Sequence, residues 1–135
     1  MASIHSEKLV QVPAEQAWAA LRDTANPHRL FAGVLTDARI DGDLRTVTFA
    51  NGMVAKERIV DIDDQNRRMA YAVQGMFDHH SASMQIYPEG ATRCRFVWIA
   101  DLLPNDKAAM VAELMEQGSD ALVRNLETHL APVRG

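Results

Sequence analysis

Arg45 and Glu57 flank the turn in the segment DLRTVTFANGMVAKERIVDID (residues 43–63), and they are the residues here best equipped for chemistry. A carboxylate beside a guanidinium is a proton acceptor whose affinity the cation lowers and desolvation raises, while the arginine is a permanent donor for a carbonyl, enolate or carboxylate oxygen. Glu57 as proton shuttle and Arg45 as oxygen anchor would suit aldol cyclisation, dehydration or a proton-transfer rearrangement. The competing reading is a structural ion pair, since such networks also occur without chemistry. Removing charges from water costs several kcal/mol per ion, however, and apolar residues of similar volume often stabilise a sheet better.

Whether the two residues meet depends on the turn between their strands. A two-residue Asn51-Gly52 loop would set Arg45 opposite Arg58 and Val47 opposite Lys56. A three-residue loop with Gly52 in the left-handed position sets Phe49 opposite Met53, Val47 opposite Ala55 and Arg45 opposite Glu57. The second choice separates apolar from polar faces and avoids like-charge pairing, so it is the register expected. The same reasoning at Tyr87-Pro88-Glu89-Gly90-Ala91 pairs Ile86 with Thr92, Met84 with Cys94, Ala82 with Phe96 and His80 with Trp98. Between these hairpins, Tyr71 falls beside Ile59. One concave face then collects Arg45, Glu57, Tyr71, His80 and Trp98, and a cavity of roughly 300–1,000 Å³, usual for small ligands, is expected there. Its ligand-binding walls are expected to be Phe31, Tyr71, His80, Met84, Phe96, Trp98, Met115 and Leu122.

The remaining reactive residue types give less. His79 and His80 are neighbours on a strand, so they point to opposite faces and cannot chelate one ion; no metal site is expected. His79 is read as a surface residue and His80 as a pocket-mouth residue: a second acid/base group, a ligand hydrogen-bonder or a satisfied strand-start histidine. Cys94 reads as an inert core thiol, Trp18 as core, and Gly118 as clearance for packing or for ligand. Ser81 and Ser83 lack a triad order, and no GxSxG or phosphate-cradling glycine loop occurs. No cofactor is implied.

The elements that must position these groups follow from turn signals and periodicity. Ser3 to Val12 reads as a strand ending at Pro13, where a helix carrying Ala14, Ala17, Trp18 and Leu21 begins. A short helix around His28 to Phe31 ends at Gly33, and six strands follow, punctuated by Asp41-Gly42, Asn51-Gly52, Asp63 to Asn66 and Pro88 to Gly90. After Pro104-Asn105-Asp106, Val111, Leu114, Met115, Gly118, Leu122, Leu126 and His129/Leu130 form one stripe at helical spacing. The expected class is α+β: an antiparallel seven-stranded sheet (β-α-α-β6-α) curved around a long C-terminal helix, with residues 1–135 as one domain. The 135 residues are 47% apolar and 24% charged, with a net charge of -4, an ordinary globular composition that would repel a polyanion. Nucleic acid is therefore excluded as an expected partner. A lone cysteine, no apolar signal core and no run of about 20 apolar residues point to a cytoplasmic protein with no membrane insertion. The oligomeric state is left open.

The order of elements, together with VPAEQAWAALRD, AKERIVDID, SASMQI, RFVW and the single closing helix, resembles the START-like helix-grip superfamily (SRPBCC), which includes polyketide cyclase/dehydrase-like proteins. The segments are most similar to the lachrymatory factor synthase and abscisic-acid-receptor branch. The resemblance implies a small hydrophobic or amphipathic ligand, lipid-like or otherwise, held between sheet and helix. It also implies that Arg45 and Glu57 occupy the positions of a proton-handling pair. The segment before SASMQI reads FDHH in this chain, where those enzymes carry tyrosine and other aromatics. Three function classes stay open: a cofactor-free cyclase, dehydratase or isomerase; a carrier or sensor of a hydrophobic metabolite; and a partner-binding module.

Overall fold

In the computed structural model, which describes residues 1–128, the chain runs β1 (Ala2–Val10), α1 (Ala14–Leu21), α2 (Pro27–Leu30), then β2 (Leu35–Asp41), β3 (Leu44–Phe49), β4 (Val54–Asp63), β5 (Arg68–Gln74), β6 (His79–Pro88) and β7 (Cys94–Leu103). A 3-10 turn at Asn105–Lys107 leads into α3 (Ala108–Thr128). The seven strands form one antiparallel sheet in the order β1-β7-β6-β5-β4-β3-β2, so β1 returns to pair with β7 while every other neighbour is a hairpin partner. This is the helix-grip arrangement expected from the sequence. The expected helical positions His129 and Leu130 lie outside the described residues.

Local chemistry explains the boundaries. Pro13 keeps an extended conformation just before α1, and Pro27 occupies the first turn of α2, where its missing N–H is not needed. The β3–β4 hairpin takes the three-residue loop. Gly52 sits at φ 90°, its N–H donates to the Phe49 carbonyl at 2.9 Å, and the Phe49 N–H donates to the Met53 carbonyl at 2.8 Å. Arg45 is therefore directly opposite Glu57 and Val47 opposite Ala55. In β4 a bulge at Val60 separates the pairs Ile59/Tyr71 and Ile62/Met69. The extra residue keeps Ile59 and Ile62 on the same face and turns Val60 outward, 63% exposed.

The β6–β7 register differs from the sequence expectation. Ile86 pairs with Phe96, Met84 with Trp98, Ala82 with Ala100, His80 with Leu102 and Cys94 with Pro88. The connection is the longer loop Glu89 to Arg93, closed by the Glu89 N–H donating to the Arg93 carbonyl at 3.0 Å. This loop lets Arg95 lie 5.3 Å from the Tyr87 ring centre and within 3.0 Å of Glu7 and 3.3 Å of Glu89. The slip is even, so no side chain changes face. Trp98 stays on the concave side, beside Met84 rather than His80.

Helix α3 lies across that concave side. Val111, Met115, Gly118, Ser119, Leu122, Asn125 and Leu126 are buried along it. Ser6 and Ser119 hydrogen-bond at 2.8 Å where α3 crosses β1, and Asn125 donates to the carbonyls of Leu30 and Ala32 at 2.9 and 3.1 Å, fastening the segment after α2. Gly118 is where α3 meets Trp98: a Cβ there would stand 2.9 Å from the indole Cζ3. The glycine thus serves close packing, at a helix-propensity cost of about 1 kcal/mol.

Candidate functional site

Between the sheet and the N-terminal half of α3 the structure leaves a pocket of about 100 Å³. It is smaller than the expected range. Gly118 admits Trp98 against the helix, and Phe31 fills in beside it with ring centres 5.8 Å apart. Of the expected lining residues, Phe31, Tyr71, His80, Met84, Trp98 and Met115 all border the pocket, together with Arg45 and Glu57. Phe96 and Leu122 do not. Both are fully buried in the hydrophobic core, Phe96 facing Ile86 nearer the β6–β7 turn. Side-chain alternation puts Phe96 on the correct face, but its place along the strand puts it past the end of the pocket.

Sequence reasoning missed a second set of walls. Val47, Phe49 and Met53 come from the β3–β4 hairpin, Met76 and Phe77 from the β5–β6 loop, and Met110 from the first turn of α3. The first three lie on the concave face already assigned to Arg45, so alternation alone could have found them. Met76 and Phe77 carry no such signal. Their loop is tied down by Lys107, which donates to the Met76 carbonyl and sits 5.3 Å from the Phe77 ring centre.

Among the described residues lining the pocket, Arg45 and Glu57 are the only charged ones. Their side chains are 5% and 13% exposed, so the pair is shielded from bulk water. Arg45 Nε donates to Glu57 Oε1 at 2.8 Å, and Nη2 lies 2.8 Å from the same oxygen. Nη1 donates to the Thr24 carbonyl at 3.3 Å, a contribution from the loop after α1 that the sequence did not reveal. Both contacts between Arg45 and Glu57 fall on Oε1, and no described residue bonds to Oε2.

Two further polar groups join the pair. Trp98 Nε1 donates to the Tyr71 hydroxyl at 3.1 Å. Burial pushes the Tyr71 pKa well above the ordinary phenol range, and the nearby Glu57 carboxylate pushes it further, against the opposing effects of Trp98 and Arg45. Tyr71 is thus a neutral hydroxyl. His80 lies between aromatic rings, 5.0 Å from Phe77 and 5.7 Å from Tyr71 by ring centres, and its Nδ1 accepts the Val73 N–H at 3.0 Å. Burial, with a lesser push from His79, lowers its pKa from 6.5 to about 4. At neutral pH it is uncharged. His79 is exposed on the other face, as expected. Among the described residues no group of three or more His, Cys, Asp or Glu could hold a metal. Likewise, no described helix is long and apolar enough to cross a membrane.

Chemically, the site pairs one open carboxylate oxygen with neutral hydroxyl and imidazole groups inside apolar walls. That arrangement can accept a proton from a bound molecule and hold the resulting oxygen by hydrogen bonds.

Comparison with known proteins places this geometry in context. Residues 1–131 match the family described as polyketide cyclase / dehydrase and lipid transport. No curated protein matches the chain. Among solved structures, the chain is similar to a Bacillus thuringiensis protein at 14% identity and TM-score 0.83, covering 91% of this chain and 97% of that one. It is similar to the di-domain ARO/CYC BexL of the BE-7585A biosynthetic pathway at 15% identity and TM-score 0.81, covering 98% of this chain and 48% of BexL. It also resembles norcoclaurine synthase of Thalictrum flavum, in a complex with dopamine and hydroxybenzaldehyde, at 16% identity and TM-score 0.69, covering 97% and 89%. At these identities the likeness is one of fold.

Proposed function

Because this chain belongs to the polyketide cyclase/dehydrase and lipid transport family, we propose that residues 1–135 act as one ligand-binding domain, holding a small hydrophobic or amphipathic metabolite in the pocket beneath α3 and carrying out cofactor-free proton transfer on it. Glu57 takes and returns the proton, and Arg45 serves it in two ways. Its contacts with Oε1 fix the carboxylate so that Oε2 meets the ligand, and the N–H groups beyond those bonds remain to hold a ligand oxygen. Cyclisation, dehydration and enolisation all need this combination of a base beside an oxygen anchor. The observation that carries the reading is the shielded ion pair, with one carboxylate oxygen uncommitted, on the wall of an otherwise apolar pocket.

Native mass spectrometry of the protein purified from its own host tests the binding half. A single small-molecule adduct, lost when Trp98 is replaced by a residue that collapses the pocket, is the expected result; a clean apo mass in every preparation would count against a resident ligand. The second reading is a carrier without chemistry, favoured by the engagement of Arg45 with Thr24 and Glu57 on three nitrogens. Under that reading Glu57→Gln changes affinity alone, and no carbonyl compound is turned over by the wild-type protein.

A further inference from the structure

The β5–β6 ladder stops early. Backbone pairing runs from Arg68/Gln85 to Tyr71/Ala82, although β5 continues to Gln74 and β6 begins at His79. Extending the same register would set Val73 opposite His80. There the Val73 N–H donates instead to His80 Nδ1 at 3.0 Å. An imidazole has replaced a backbone carbonyl as the acceptor at the last rung, and this holds the ring between Tyr71 and Phe77.

This substitution fixes the tautomer. A neutral imidazole has one donor and one acceptor nitrogen, and a nitrogen that accepts the Val73 N–H cannot carry the proton. The proton is on Nε2, for which no described residue is an acceptor, and His80 borders the pocket. Protonating Nδ1 would break the Val73 bond, and burial opposes the charge as well, so the donor persists across neutral pH. The charges lining the pocket, Arg45 and Glu57, cancel. A neutral guest keeps this apolar space at zero net charge, whereas a carboxylate adds a second anion beside Glu57 with Arg45 as the one cation on the wall.

We infer that the pocket selects a small neutral carbonyl compound of about one ring, its oxygen received by the His80 Nε2–H and its reacting carbon turned toward Glu57, and that it discriminates against carboxylates. The size follows from the volume of about 100 Å³. The inference rests on the ligand-pocket reading above and deepens it by naming the ligand class and the specificity-determining residue.

Ethylbenzene, acetophenone and benzoate separate shape, carbonyl recognition and charge. Their affinities are measured by calorimetry on the wild-type protein and on His80→Phe, which keeps a ring but removes both nitrogens. In the wild type, acetophenone binds more tightly than ethylbenzene, and benzoate binds most weakly. In His80→Phe the advantage of acetophenone over ethylbenzene falls by about tenfold, the size expected for one buried neutral hydrogen bond and the donor it satisfies. If His80→Phe does not fold, two measurements on the wild type decide. The carbonyl stretch of bound acetophenone moves to lower frequency than in hydrocarbon solvent, and the ¹⁵N resonance of His80 Nε2, protonated in the free protein, shifts on binding. An unchanged acetophenone-to-ethylbenzene ratio with an unshifted stretch overturns the inference, as does tightest binding of benzoate, which would make Arg45 a carboxylate anchor. In both cases ethylbenzene binding leaves the pocket itself standing. Binding of none of the three overturns the ligand-pocket reading together with this one.

Discussion

Removing Arg45 alone should damage the protein far more than removing Arg45 and Glu57 together. The guanidinium is 4% exposed by residue and satisfies Glu57 Oε1 and the Thr24 carbonyl. Arg45→Met leaves a shielded carboxylate without its counter-charge, for which about 3–5 kcal/mol is typical. The orphaned Thr24 carbonyl adds about 1 kcal/mol. With a urea m-value of about 1.5–2 kcal/mol/M for a chain of this size, a loss of about 4 kcal/mol moves the unfolding midpoint down by roughly 2–3 M. Arg45→Met/Glu57→Leu removes both charges and refills most of the volume, so its midpoint should lie within about 1 M of the wild type. Urea unfolding followed by circular dichroism reads both, and the two single variants complete the cycle. If Arg45→Met shifts the midpoint by less than about 0.5 M, the pair is not desolvated as described, and assigning it to function on grounds of its burial is refuted.

Three other outcomes follow from neighbouring features. The folded pKa of His80, lowered to about 4 against 6.5 unfolded, means that its contribution is full above about pH 6.5 and is lost as pH falls toward 4, because the unfolded chain then binds the proton first. Allowing for the partial exposure of the ring, the loss is about 1–2 kcal/mol, and the pH dependence of unfolding in His80→Phe should be flatter across that window. Gly118→Ala gains about 1 kcal/mol of helix propensity but drives a methyl group into Trp98. A net loss of up to about 2 kcal/mol is expected, with an altered Trp98 emission as its bond to Tyr71 is displaced; a stabilised protein with unchanged emission would contradict the packing described. Cys94 is fully buried and its thiol is pushed up to about 11 by burial, so a thiol reagent at neutral pH should label it no faster than the protein opens; rapid labelling of folded protein would show the core end of β7 to be accessible.

The contrast between the two long hairpins shows what the sequence could reveal. At Asn51-Gly52 the competing loop lengths differ by one residue, so the wrong choice would have set Val47 opposite Lys56 and mixed polar with apolar side chains on each face, and face chemistry decides. At Pro88 to Gly90 the competing registers differ by an even slip. Both keep Met84, Phe96 and Trp98 on the concave face, so the pattern of side chains carries no information about which is adopted. The pocket was misjudged for a related reason. Alternation identifies the face of Phe96 but not its distance from Arg45, and helical spacing puts Leu122 on the buried stripe of α3 without saying whether space or core lies beneath it. Arg45 and Glu57 were legible because charge on an apolar face is conspicuous. The Thr24 carbonyl, the Val73 N–H bound by His80 and the closure of the pocket by Met76 and Phe77 were not, since each depends on backbone placement that no residue type encodes.

The most direct test of proton transfer at Glu57 is deuterium exchange at the methyl group of acetophenone in D₂O, followed by NMR with wild-type protein and with Glu57→Gln. Glu57 would remove a proton from the α-carbon while the enolate oxygen is held by hydrogen bonds, the Glu57 carboxyl would trade that proton for a deuteron of D₂O, and the deuteron would pass to the same carbon. The uncatalysed reaction is slow, so even weak catalysis is visible. Wild-type protein should accelerate exchange with saturation in ketone, and Glu57→Gln should still bind acetophenone while exchange falls to the rate of buffer alone. Exchange that is equally fast in Glu57→Gln, or wild-type protein that binds the ketone and leaves its protons in place, would contradict the assignment of proton transfer to this residue.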